Sequence, residues 1–340
     1  MRYSTVFQLA ALAELGSAYK PHAGHRVSHD HKLHSRLSAG GPSNGSYQLT
    51  DNYPTGLDFF SKFSFFTDAD PTNGYVTYVD QDTASSAGLI AAKGNGTYIG
   101  VDSTNVASGS GRQSVRLTST ATYNGGLFIL DLAHIPGSNC GSWPAFWTVG
   151  SDWPNNGEID IIEGVNQQSG NAMTLHTNSG CTINSGGFSG SLSTSNCDVN
   201  AAGQANNAGC GIDSSDTTSY GDGFNSNGGG IYAMEWTDQF IQIFFFDHVN
   251  APSDLTSGSP NPAAWGQPAA LFDGDCDINS HFQNHNIVFD ITFCGAWAGA
   301  VWSSGSCANL AGSCNDYVQN NPSAFQSSYW QVNSLKVYSR

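Results

Sequence analysis

The stretch NGEIDIIEGV, residues 156–165, sets three carboxylates, Glu158, Asp160 and Glu163, within six residues and among isoleucines. The chain has only 27 acidic residues in 340, so this density is not a by-product of composition. Isoleucine is β-branched and favours a pleated, half-buried surface, so EIDII reads as a strand. On a strand, positions two apart share a face, which brings Glu158 and Asp160 together. A regular strand would turn Glu163 to the opposite face with Ile159 and Ile161, burying a carboxylate in the core at large cost. One extra residue near Ile161–Ile162, a β-bulge, would reset the phase and return Glu163 to the face of the other two acids. Glu158 and Glu163 then stand roughly 13 Å apart between Cα atoms, at ~3.3 Å per residue. Strand curvature and inward-leaning side chains can bring their carboxyls toward ~5–5.5 Å, the separation of retaining glycosidases; inverting ones need ~6.5–9.5 Å.

Three acids this close cannot all ionise freely. Repulsion raises at least one pKa, so one carboxyl keeps a proton while another stays charged. Glycoside hydrolysis needs that pair of roles. The spacing leaves two other readings open. A solvated acidic turn fits badly with flanking isoleucines, and a calcium site prefers loop acids with backbone carbonyls. Upstream, GSWPAFWTVGSDWPNNGE brings Trp143, Trp147 and Trp153 within eleven residues. Flat aromatic faces either fill a core or stack on the CH faces of sugars. Trp153, between Asp152 and Pro154 in a turn, is the best platform of the three. Downstream, MTLHT places His176 on a strand, either as a hydrogen-bonded structural residue or on the same concave face.

The elements that must position these residues are strands. GYVTYVDQ, SVRLTS, LFILDL, NAMTLHT, IYAMEW, FIQIFFFD, NIVFDITF and WQVNSLKVYS carry β-branched and aromatic residues between Gly/Asn/Ser/Asp turns. WTDQ reads as a hairpin turn, and no segment offers a long helical stripe. Many short strands with glycine-rich turns mean a sandwich or barrel. No repeat of 20–50 residues is visible, which argues against a propeller or β-helix. Strands continue to Tyr338 without a linker-like gap, so residues 45–340 read as one domain. Residues 179–230, nearly all Gly, Ser, Asn, Thr and Asp with three cysteines, read as long surface loops pinned by disulfides.

The formal charge is −16, and residues 45–340 are more acidic still, because the first forty residues are net basic. Such a surface repels nucleic acid and anionic membranes and suits a neutral partner. Eight cysteines, none in a CxxC pair, fit up to four disulfides in an oxidising compartment, with 105 connectivities open. Residues 1–18 read as a signal peptide: Arg2, a short apolar run from Val6 to Ala13, then Gly16-Ser17-Ala18 as the cleavage site, with Ala13 an earlier option. No later stretch approaches 18 apolar residues, so no membrane span is expected. NGS at Asn44 and NGT at Asn95 are glycosylation sequons. A secreted, extracellular protein follows. Residues 19–44 hold His22, His25, His29, His31 and His34. They read as a polar pro-segment or linker, with metal binding as the alternative. The GxSxG match at Gly41–Gly45 lacks the strand and helix a nucleophile elbow needs and is taken as chance.

GEIDIIEG resembles the ExDxxE signature of glycoside hydrolase family 16 in its bulged, laminarinase-like form; the related lichenases carry the shorter ExDxE. The similarity, to fungal secreted endo-β-1,3-glucanases, runs from about Tyr47 to Tyr338. It passes through GRQSVR, CGSWPAFW, DWPNNGEIDIIEGVNQQS, NAMTLHT, NCDVN, YGDGFNSNGGGIYAMEW, TFCGAWAG and NNPSAFQSSYW. It implies a concanavalin-like β-jelly roll of two antiparallel sheets with a cleft across the concave one. It implies Glu158 as nucleophile, Glu163 as general acid/base and Asp160 as the residue tuning the nucleophile. It places Trp147, Trp153, His176 and Trp297 in the cleft and assigns Arg112 of GRQSVR to a sugar further along it. The implied reaction is retaining double displacement without metal or organic cofactor, by a monomer, on β-1,3-glucan, with mixed 1,3/1,4-linked glucan as an alternative. A transglycosylase using the same two glutamates, or a lectin on the same fold, are the rival readings. The histidine-rich leader is not part of the resemblance.

Overall fold

The computed structural model describes residues 46–340. The signal peptide, the histidine-rich segment, the GxSxG match and the Asn44 sequon therefore lie outside the described residues. Two eight-stranded sheets make up the architecture. One runs in the order 191–192, 210–213, 172–176, 158–163, 142–149, 286–293, 117–119 and 63–65, every neighbour antiparallel. The other runs 270–272, 241–247, 230–236, 126–134, 329–339, 96–100 and 90–93, with strand 48–53 also paired to 329–339. The jelly roll expected from the sequence is thus the observed fold, and the carboxylate strand sits near the middle of the first sheet.

Period-two patterning explains how the sheets stack. In NIVFDITF, Ile287, Phe289, Ile291 and Phe293 are almost wholly buried in the core, so Asn286, Val288, Asp290 and Thr292 belong to the opposite face, where Asp290 acts on Asp160 and Glu163. Phe289 packs on Phe146 of the neighbouring strand, with ring centroids 4.6 Å apart. It also meets Trp330 of the opposing sheet at 5.8 Å, so these rings tie the sheets together. WTDQ forms the expected hairpin, with the Thr237 N–H donating to the Phe240 carbonyl. A second apolar cluster, including Tyr47, Leu127, Phe244, Trp265 and Tyr338, lies apart from the main core.

All eight cysteines are paired: Cys140–Cys307, Cys181–Cys276, Cys197–Cys210 and Cys294–Cys314. Two of these bridges involve the polar region at 179–230, as the sequence suggested; that region also holds short strands at 181–183, 191–192 and 210–213 and a helix at 221–226. Among the described residues, no helix is long and apolar enough to cross a membrane.

Candidate active site

The expected bulge is present, at Ile161–Ile162. Against strand 142–149, Asp160 pairs with Trp147 and Ile162 with Phe146, so two residues advance on one side for one on the other. Against strand 172–176, Asp160 pairs with Thr174 and Glu163 with Ala172, again with one residue extra. Ile159, Ile161 and Ile162 are all buried in the main core. Glu163 consequently leaves the core side, and its Oε1 accepts a hydrogen bond from the Trp143 indole Nε1 at 2.8 Å. Its cross-strand neighbours are Ala145 and Ala172, whose small side chains leave the floor beside the carboxyl low.

Glu158 pairs across the strands with His176. The His176 Nε2 lies 3.3 Å from Asp160 Oδ2 and 4.0 Å from a Glu158 oxygen. Glu158, Asp160 and His176 each bring one ligand atom within 4.8 Å of the others, so among the described residues these three side chains could hold a cation. Burial, then repulsion from Asp160, pushes both Glu158 and Glu163 up to about 8. His176 and Arg116 favour the Glu158 anion while Glu163 opposes it; the Trp143 hydrogen bond and His176 favour the Glu163 anion while Asp290 opposes it. Glu158 is also the more solvent-exposed of the two. Water reaches its carboxylate more readily, which suits the charged form. Burial holds Asp160 well above the usual carboxylate range, with Asp290 reinforcing it.

The remaining expected residues divide. Trp147 flanks Asp160 on the next strand and is partly buried. Trp153 is 44% exposed on the turn between strands 142–149 and 158–163. That turn is anchored by His285, which bridges Thr148 Oγ1 at 2.8 Å and the Asn156 carbonyl at 2.6 Å. Trp297, in a one-turn π-helix at Gly295–Gly299, meets Trp143 edge-on with centroids 5.7 Å apart, next to the indole that binds Glu163. Asn95 is exposed at the turn between strands 90–93 and 96–100, accessible as a sequon must be.

Arg112 requires a correction. It is fully buried, and its guanidinium donates to the carbonyls of Val318, Asp102, Asn105 and Gln319 while lying over the Phe325 ring. No donor of that group is left to face a sugar. The arginine near the acid cluster is the other one in GRQSVR, Arg116, stacked between Phe66 and Trp147 and 3.9 Å from Asp290. Alternation alone would not have separated them, since positions four apart share a face; the chain instead breaks between the strands Arg112–Ser114 and Leu117–Ser119, and with Leu117 in the core Arg116 and Thr118 take the other face. Asp290 was also missed. Burial, opposed by Arg116, raises its carboxyl to about 7, and its signal was a lone acid within the apolar run NIVFDITF.

Buried polar atoms without a hydrogen-bond partner concentrate here. Trp147 Nε1, Asp160 Oδ2, His176 Nδ1 and Arg116 Nε are among the six in the described residues. Native proteins seldom leave such groups unpaired outside functional sites, and a hydroxyl-rich ligand would suit them.

Fold and site together define a glycoside hydrolase of the jelly-roll type, and the chain belongs to glycoside hydrolase family 16. Residues 63–338 match the family described as "XgeA-like, catalytic GH16 domain". The chain is 45% identical to an endo-1,3(4)-beta-glucanase of Arthroderma benhamiae, over 99% of this chain and 69% of that one. It is 47% identical to a probable endo-1,3(4)-beta-glucanase of Aspergillus niger over 86% of this chain, and there it spans only 40% of the relative's length. Among solved structures it superposes with a TM-score of 0.82 on an elongating GH family 16 beta-1,3-glucosyltransferase, at 47% identity, covering 86% of this chain and all of that one. With Laminarinase 16A from Phanerochaete chrysosporium, solved with 6-O-glucosyl-laminaritriose in donor and acceptor sites, the TM-score is 0.80 at 46% identity, covering 87% and 100%.

Proposed function

We propose that this chain is a secreted endo-acting enzyme that cleaves β-1,3-glucan with retention of anomeric configuration. The observation that carries the reading is the bulge at Ile161–Ile162, which gathers Glu158, Asp160 and Glu163 at one site beside His176 and Trp143. Ionised Glu158 attacks the anomeric carbon while Glu163 protonates the leaving glycosidic oxygen. Glu163, now a base, takes a proton from water, which displaces Glu158 and completes a second inversion. Asp160, with its Oδ2 3.3 Å from His176 Nε2, lies beside the nucleophile and tunes its charge. Trp147, Trp153 and Trp297 offer ring faces to glucosyl units on either side, and Arg116 with Asp290 supplies polar contacts. The relatives named as endo-1,3(4)-beta-glucanases support this substrate class and keep mixed-linkage glucan within it. Residues 45–340 act as the single catalytic domain, working as a monomer. Four disulfides, the exposed Asn95 sequon and the leader at 1–18 support an extracellular setting.

A second reading, glucosyl transfer to a sugar acceptor, has a specific observation behind it, the likeness to the elongating glucosyltransferase. The covalent intermediate is the same and only the acceptor differs. Proton NMR of the protein with linear β-1,3-glucan tests both. Hydrolysis yields β-anomer reducing ends first, which mutarotate later; transfer yields longer products without a matching rise in ends. Initial α-anomer ends would refute the retaining geometry, and glucan binding without cleavage would mark a lectin.

A further inference from the structure

The bulge that brings Glu163 to the cleft interrupts the ladder. On the side of strand 172–176, pairing stops at Asp160–Thr174 and resumes at Glu163–Ala172. Asn171, one residue before that strand and 1% exposed, fills the gap. The Glu163 N–H donates to Asn171 Oδ1 at 2.9 Å, and Asn171 Nδ2 donates to the Ile161 carbonyl at 2.8 Å. One carboxamide thus engages the backbone on both sides of the extra residue. A side-chain amide suits this position because it is neutral and offers donor and acceptor in one short planar group. Asn171 is itself fixed. Its N–H donates to Ser219 Oγ at 3.0 Å, Ser219 Oγ donates to the Asp216 carbonyl at 2.6 Å, and the Ser214 N–H donates to the Asn171 carbonyl at 2.8 Å.

We propose that Asn171 is a positioning residue for Glu163, locking the bulge in the phase that presents the Glu163 carboxyl to the Trp143 indole and the cleft. The proposal rests on the reading of Glu163 as the acid/base. A one-residue change of phase moves a strand side chain to the other face of the sheet, so the clamp helps hold Glu163 toward the substrate rather than the core. Trp147 and Trp153 lie on the other side of the carboxylate strand, so their sugar contacts do not depend on it. Loss of the clamp should therefore appear in kcat rather than KM.

A pH readout distinguishes positioning from mere support. The titratable groups facing Glu163 are Glu158 and Asp160 on its own strand, His176 on the next, Asp290 from strand 286–293, and Tyr220. Burial and Asp160 keep the Glu163 carboxyl high, at about 8. A loosened bulge admits water, the carboxyl moves down toward its ordinary value, and the general acid is lost at lower pH.

The test compares Asn171→Ala, Asn171→Asp and Glu163→Ala in the full chain. Initial rates are measured on linear β-1,3-glucan oligosaccharides from pH 4 to 9, well below each variant's melting temperature. Asn171→Ala should lower kcat by about 10–100-fold, as small misplacements of a reacting group do, leave KM within a few-fold, and move the basic limb of the profile to lower pH. Asn171→Asp should recover activity at acid pH, where the protonated carboxyl can both donate and accept, and lose it as pH rises. Unchanged kcat and limb in folded Asn171→Ala would overturn the clamp. So would a drop in kcat with the limb unmoved and no acid-side recovery in Asn171→Asp. If Asn171→Ala does not fold, Ser219→Ala, which frees the Asn171 N–H, should give the same shift in smaller measure, and no shift there would overturn the proposal. Activity surviving in Glu163→Ala would instead refute the assignment of Glu163, a result that Asn171 alone cannot produce.

Discussion

The hydrogen bond from Trp143 to Glu163 sets a direction that can be worked out in advance. Trp143→Phe removes the indole N–H, 2.8 Å from Glu163 Oε1, and keeps an aromatic ring edge-on to Trp297. A hydrogen bond to an ionised group contributes about 1.5–3 kcal/mol and one to a neutral group about 0.5–1.5 kcal/mol. The Trp143 bond therefore favours the Glu163 anion over the acid by about 1–1.5 kcal/mol, and at 1.36 kcal/mol per pKa unit its loss raises the Glu163 pKa by roughly one unit. Glu163 is 9% exposed, so little solvent screening reduces this figure. Its carboxyl already lies at about 8. The basic limb of kcat/KM, which reports the acid in the free enzyme, should move up by about one unit. The maximal kcat should fall by about tenfold as the carboxyl loses its orientation, a fraction of the ~10²–10⁴-fold that positioned proton transfer contributes. The assay is release of reducing ends from linear β-1,3-glucan across pH, with circular dichroism to confirm the fold. A basic limb that stays in place or moves down would refute the assignment of Trp143 as the donor that holds the acid. The sign is opposite to that expected for Asn171→Ala, so the two variants check one another.

Glu158→Ser should abolish cleavage while glucan binding, followed by calorimetry, stays; azide with an activated glucoside should restore a trace of turnover as glycosyl azide, and full activity without azide would remove Glu158 from the mechanism. Arg112→Met should destabilise the fold by about 3–5 kcal/mol, because it strips several buried carbonyls of their donor; Arg116→Ala should keep the melting temperature within a few degrees and raise KM for oligosaccharides. Stability should also fall with rising pH. Glu158 and Glu163 at about 8 and Asp290 at about 7 lie above their unfolded values, so the folded state holds more protons between about pH 4.5 and 8 and loses that advantage as pH climbs through the folded values. Melting temperatures at pH 5 and pH 8 check this: wild type should melt lower at pH 8, and Asp290→Asn should narrow the gap.

How much of this was legible in the sequence depends on range. The bulge could be placed at Ile161–Ile162 because period-two logic forbids an unpaired carboxylate in the core, and that argument needs only six residues. The strands, the hairpin at WTDQ and the disulfide-pinned region came from local composition and turn residues. Asn171 could not be found this way, because its task is defined by two backbone groups eight and ten residues back in the chain. Arg112 and Arg116 were confused because a motif carries residue types but not the face each occupies. Two of the four carbonyls that satisfy Arg112 lie more than two hundred residues away, which no local pattern reveals. The disulfide pairing, one of 105 arrangements, likewise depends on which loops meet.

The carboxylate strand shows why a bulge, rather than a longer regular strand, suits this chemistry. Clustered acids are costly, and Glu158, Asp160 and Glu163 all have their charged forms disfavoured by burial. The strand that carries them must recover stability on its other face. The extra residue turns Glu163 to the cleft and leaves both Ile161 and Ile162 in the core, alongside Ile159. Full burial of such side chains contributes about 1.5–3 kcal/mol each. In a regular phase the same sequence would bury Glu163 and expose Ile162, losing on both faces. The core therefore selects the phase that the chemistry requires, and Asn171 satisfies the polar backbone which that phase leaves over. It follows that Ile162→Asn, which weakens the core's preference without touching a cleft residue, should lower kcat by more than Ile159→Asn at equal loss of stability. Ile159 lies before the bulge and leaves the phase of Glu163 unaltered. Equal effects from the two, measured as kcat against melting temperature, would mean that the clamp alone sets the register.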